Sequence, residues 1–120
     1  MKVLILVNGA PYGTATPAEA FRTISGLAGM DVDTTCVLVE DGVYVALKDQ
    51  NPETIDMQNL AKAYEMLKDF NARVYILKES MEERGIKEDE LIQHDGIIDR
   101  AKLRELILER HCIISFVSGG

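Results

Sequence analysis

The sequence predicts an open α/β domain, flavodoxin-like in outline, with a mainly parallel sheet of four or five strands and helices on both faces. Three observations carry this. Short continuous apolar runs such as "VLILV" (3–7) suit strands that are covered on both faces. Between these runs lie stretches whose apolar residues recur at helical spacing. The helical stretches also open on capping residues or prolines, as at "TPAE" (16–19) and "NP" (51–52). Strands that alternate with helices connect by right-handed crossovers, and the sheet they form is parallel.

The elements follow in order. Val3 to Val7 is the first strand; Asn8-Gly9 break the run after five apolar residues, well short of the roughly 18 of a membrane span. Gly9, Pro11 and Gly13 enforce a turn. Thr16 as N-cap, Pro17 as the first helical residue and Glu19 as its reciprocal partner write a capping box. Phe21, Ile24, Leu27 and Ala28 then recur at helical spacing and face the sheet.

Val32 to Val39 is the second strand, contains Cys36 and ends at the turn Glu40-Asp41-Gly42. Asn51-Pro52 opens a second helix, whose buried stripe is Met57, Leu60, Ala61, Tyr64, Leu67 and either Met66 or Phe70; Asn71 stops it in a left-handed conformation. Val74 to Leu77 is the third strand. A short helix over 79–84 ends at Gly85, and a second helical piece covers 88–93. Asp99 caps the last helix, with Leu103, Leu106 and Ile107 inward, and His111 to Val117 is the last strand before Ser118-Gly119-Gly120. The order of the strands in the sheet is not written in this pattern.

With 120 residues the chain is read as one domain, 1–120. A net charge of −7 leaves no basic stripe to displace counterions, which argues against nucleic acid and against anionic membrane surfaces as partners. Cys36 and Cys112 form no CxxC and no metal-ligand spacing, so the expected setting is the cytoplasm with reduced thiols, no metal and no cofactor.

In an open α/β sheet, ligands bind outside the carboxyl ends of the strands. Four segments qualify: Asn8 to Tyr12, Glu40 to Val43, Leu77 to Ser80, and Val117 to Gly120. "NGAPYGT" (8–14) is neither GxxxxGK[ST] nor GxGxxG, and Pro11 removes a backbone donor that a phosphate cradle uses. It reads as a turn; in a ligand-binding reading, Tyr12 covers the pocket mouth. At the third rim, Lys78 and Glu79 are surface charges at a helix start; alternatively, Lys78 neutralises an anionic ligand or, if buried, acts as a nucleophile, beside the dipole-stabilised Glu79 carboxylate. Pocket-lining candidates are thus Asn8, Tyr12, Asp41, Gly42, Lys78 and Glu79.

Cys36 lies four residues before Glu40 and Cys112 four before Phe116, each about 13 Å from the rim at about 3.3 Å per residue. Both are expected to be buried small hydrophobes. His111 and Cys112 point to opposite faces of their strand and make a poor catalytic pair. His94 is expected to be a solvated loop residue.

The pieces "NGAPYGT" (8–14), "FR" (21–22), "VEDGVY" (39–44), "ERGI" (83–86) followed by acidic "KEDE" (87–90), and "CIISF" (112–116) resemble, in this order, the DsrE/TusD group of the DsrE/DsrF-like sulfur-relay family. The resemblance spans nearly the whole chain; each piece is weak alone. It implies a doubly wound α/β domain that assembles into trimers or hexamers, often with related subunits. In active members a cysteine at the end of the third strand carries sulfur as a persulfide, eight positions before the glycine of "RGI". Here that count leads back from Gly85 to Leu77. The chain departs from the family pattern at its reagent, which puts persulfide transfer by the family mechanism in doubt.

Three functional readings follow. The first is an oligomeric non-carrier member with an assembly, regulatory or ligand-binding role, alone or with related sulfur-relay subunits. The second is a small-molecule or nucleotide-binding domain that uses the strand-end loops. The third is sulfur transfer through Cys112 or Cys36.

Overall fold

A computed structural model of the chain describes residues 1–9, 16–47 and 61–116. Strands β1 (Lys2–Val7), β2 (Asp33–Leu38), β3 (Arg73–Leu77), β4 (Gly96–Ile98) and β5 (Cys112–Phe116) form one sheet in the order β4-β3-β2-β1-β5. Every pairing in it is parallel. The helices are α1 (Thr16–Gly29), α2 (residues 61–65), α3 (Lys78–Glu83) and α4 (Arg100–Glu109). Tighter 3-10 segments cover Glu40–Ala46, Met66–Phe70 and Glu88–Glu90.

The strand order explains the layering. From β1 to β4 the chain steps across the sheet in one direction, so right-handed crossovers keep those connections on one face. The return to β5, on the far side of β1, must pass over the other face. The core divides accordingly, because alternate strand residues point to opposite sides. Val3, Ile5, Val7, Cys36, Leu38, Val74 and Ile76 pack with Ile24 of α1, Tyr64, Leu67 and Met81. Leu4, Val37 and Ile98 pack on the other side with Leu106 of α4, joined by Leu6, Tyr75, Leu103 and Ile107. One face is therefore thickly covered, and the other rests on α4.

Local signals hold at most element ends. Asn71 stops the second helical segment with φ 64°, and Gly85 follows α3 with φ 65°. The Asp99 carboxylate accepts a hydrogen bond from the Lys102 N–H at 2.8 Å and caps α4. α1 begins at Thr16, and the Tyr64 hydroxyl donates to the Pro17 carbonyl at 2.6 Å, which ties the start of α1 to α2. Tyr12, Asn51-Pro52, Met57, Leu60 and Val117 to Gly120, to which the sequence assigns roles above, lie outside the described residues.

Several expectations need correction. β4, only three residues long, takes the place of a loop; Asp95 seats it by donating its N–H to the Val74 carbonyl at 2.8 Å while its carboxylate accepts the Val74 N–H at 2.7 Å. The helical piece foreseen over 88–93 is a single 3-10 turn. Met66 and Phe70 are exposed rather than buried. The helix tightens to about three residues per turn at Met66, and the change of phase carries Leu67 inward and its neighbours out. His94 is half-buried, with its Nδ1 atom covered and without a hydrogen-bond partner. Cys112 is exposed at the first residue of β5, an edge strand with a neighbour on one side only.

Candidate functional site

The carboxyl ends of β2 and β3 are joined by a non-local brace. As the chain leaves β2, the Val39 N–H donates to the Val7 carbonyl at 2.9 Å. Glu40 then turns left-handed at φ 50°, a conformation that costs a non-glycine residue on the order of 1 kcal/mol. This turn swings the Glu40–Ala46 segment back across the end of β1. Gly42 is pressed so closely there that a Cβ on it would lie 2.0 Å from the Val7 carbonyl oxygen and 3.3 Å from the Asn8 Cα. Only glycine fits that approach.

α3 supplies the opposite half. Ser80 is fully buried, and its Oγ accepts the Glu40 N–H at 2.8 Å, which holds the left-handed turn. Arg84 lies one helical turn further on. It donates to the Ser80 carbonyl at 3.2 Å, and its Nε and Nη2 reach one Asp41 carboxylate oxygen at 3.1 and 3.0 Å. Glu40 and Glu83 add longer pairs at 3.5 Å. Burial by itself would lower the Arg84 pKa; the hydrogen bond and charge of Asp41, with Glu40 and Tyr44, outweigh it and raise the value above the ordinary one. The guanidinium is charged in either case.

Leu77 stands between these halves, at the N-cap position of α3 with φ −76° and ψ 121°. It is 3% exposed and has only hydrocarbon to offer. Glu79 turns away from the brace toward α4, where one carboxylate oxygen accepts the Arg100 N–H at 3.2 Å. Its other oxygen is covered and has no hydrogen-bond partner. Lys78 points to solvent and makes a 3.9 Å surface pair with Glu82.

Of the candidates named from sequence, the structure brings Asn8 beside Gly42 and ties Asp41 to α3. It sends Lys78 and Glu79 elsewhere, and Tyr12 lies outside the described residues. The carboxylates of Glu40, Asp41, Glu79, Glu82 and Glu83 outnumber the cations Lys78, Arg84 and Arg100, which weakens the case for anion binding here. Ser80 and Arg84 are the residues that sequence reasoning undervalued. The signal was present in "SMEER" (80–84), where the arginine stands one helical turn after a serine that closely follows the strand end.

Neither thiol reaches this rim. Cys36 is wholly buried in mid-β2, and burial pushes its pKa far up, so the nucleophilic thiolate is not populated near neutrality. Burial, and next the neighbouring Cys36, push the Tyr64 phenol up in the same way. Cys112 is accessible but sits at the first position of β5, at the opposite end of the sheet. Two clefts also lie toward that amino end. One, about 230 Å³, is lined by Tyr64, Glu65, Lys68, Gln93, His94 and Asp95; the other, about 240 Å³, by Asp31, Asp33, Asn71 and Arg73 among others.

A family model described as the DsrE/DsrF-like family matches residues 1–116. The chain is 32% identical to the intracellular sulfur oxidation protein DsrF of Allochromatium vinosum, over 96% of each chain. It is 27% identical to the protein TusC of Buchnera aphidicola, covering 97% of this chain and all of that one. Among solved structures, the ychN protein of E. coli superposes with a TM-score of 0.81 at 27% identity, over 97% of this chain and 99% of the other.

Proposed function

Since the chain belongs to the DsrE/DsrF-like family, we propose that it acts in the cytoplasm as an oligomeric non-carrier member, with an assembly or regulatory role beside related sulfur-relay subunits. It is related to DsrF and TusC along nearly its whole length. The observation that carries the reading is Leu77. At the position where the family resemblance expects the persulfide cysteine, the chain buries a leucine and closes the surrounding rim with Ser80, Arg84 and Asp41. Sulfur carriage needs an accessible thiolate, and among the described residues this rim holds none. The site keeps its frame and uses it to fix the ends of β2 and β3.

A second reading has one specific observation in its favour: Cys112 is exposed. Sulfur transfer through it would use the amino end of the sheet, remote from the family position.

One experiment separates the two. The protein is incubated with a cysteine desulfurase and cysteine, and its intact mass is then recorded beside that of Cys112→Ser. The non-carrier reading expects no added sulfur on the wild-type chain, together with capture of a related relay subunit in a pull-down. A gain of one sulfur that disappears in Cys112→Ser would replace it with the second reading.

A further inference from the structure

The outward side of α4 has a pattern that packing against the sheet does not require. Leu103, Leu106 and Ile107 face the sheet. On the opposite side of the helix, Ala101, Arg104, Glu105 and Leu108 recur at helical spacing and are all exposed. Leu108 is 79% exposed, a large apolar side chain in the middle of a charged surface.

We propose that this stripe is the contact at which two copies of the chain pair about a twofold axis, with their α4 helices antiparallel. The inference rests on the oligomeric reading above and names a surface for it. The argument is self-complementarity, the condition a twofold contact imposes on a single patch. An axis passing between Arg104 and Glu105 sets Arg104 against the partner's Glu105, and Glu105 against the partner's Arg104. The same operation sets Leu108 against the partner's Ala101, a large side chain over a small one, and repeats that contact on the other side. Charge and size therefore match in one register, with no second surface needed. Antiparallel helices also oppose their dipoles favourably.

The charges are available for this. Arg104 makes no ion pair among the described residues. Glu105 is held only by a 3.5 Å contact with Lys102 from the previous turn, and its side chain remains 64% exposed. Either copy could be replaced by a related subunit; the self-matching register is what favours a second copy of this chain.

The test is sedimentation equilibrium over a range of concentrations, with R104E, the double reversal R104E/E105R, and L108D beside the wild-type chain. All the altered side chains are exposed, so the circular dichroism spectrum and melting temperature are expected to stay as in the wild type. R104E brings two acidic pairs together across the axis and is expected to raise the dissociation constant about tenfold or more. L108D is expected to act in the same direction. The double reversal restores opposite charges and is expected to recover wild-type association. A wild-type chain that self-associates equally well with R104E, or a double reversal that fails to recover, overturns the α4 contact and leaves the oligomeric reading standing. A chain that associates only with a related subunit overturns the contact and keeps the subunit role. A monomer at every concentration, with no partner captured, overturns both.

Discussion

The carboxyl ends of β2 and β3 and the edge at β5 treat the same kinds of residue in opposite ways. At the first, a serine hydroxyl, an arginine and a strained glutamate are locked into one another, and Leu77 is buried beside them. At the second, Cys112, Ile113 and Ser115 are exposed, and His111 meets Lys2 only through edge hydrogen bonds. In open α/β proteins the carboxyl end usually holds the chemistry. Here the described part of that end is braced shut, and accessibility has moved to the edge and the amino end. A surface that is fixed suits a subunit whose role is to present a shape. The exposed thiol of Cys112 stands at the start of its strand, at the opposite end of the sheet from that rim.

The largest test of this contrast is Gly42→Ala. The new methyl group would collide with the Val7 carbonyl, a backbone atom that cannot turn aside. The expected loss is about 3 kcal/mol, read from the urea midpoint. A near wild-type midpoint would mean that the rim yields easily and is no brace. Next is Ser80→Ala, which removes a buried hydroxyl and leaves the Glu40 N–H, in a part-buried setting, without its acceptor. The expected cost is about 2 kcal/mol by the same measurement. A loss below a few tenths would show that the left-handed turn stands unaided.

The smallest effect concerns the thiols and sharpens the comparison through pH. Burial raises the folded pKa values of Cys36 and Tyr64. The unfolded chain therefore gives up its protons first, near pH 8.5 for the thiol and near 10 for the phenol. Both groups contribute stability that is complete below those values and is lost as pH rises. Above about pH 9, stability should fall with a slope approaching 1.4 kcal/mol per pH unit from Cys36 alone. Cys36→Ala should lose the part that begins near pH 8.5. Denaturation curves at several alkaline pH values check this, and a flat profile in the wild type would contradict the buried thiol.

What could be read in the sequence follows a physical line. Val3 to Val7, the Asp99 cap and the Asn71 stop depend on neighbours a few residues away, and they are found as expected. Met66 and Phe70 were misplaced because a helix that tightens to 3-10 geometry changes which residues face inward, and no residue type announces the change. β4 escaped notice because three residues are too few to show a period. Cys112 looked like a core residue because an apolar strand reads the same at an edge as at the centre of a sheet. The candidate site was partly legible: Leu77, Asp41 and Gly42 were marked by their place at strand ends. The brace was hidden, since Glu40 and Ser80 are joined across 40 residues and only the folded chain shows that they meet.

The strand order has a consequence for how the chain is made. β1 lies between β2 and β5, so the first of the described strands receives one of its two neighbours from the last of them. Until residues 112–116 leave the ribosome, the apolar run Val3 to Val7 can be paired on one side only, and its other side remains a bare template for any strand that comes near. Among the described strands, "CIISF" is thus the one that covers this side of β1 and removes the template.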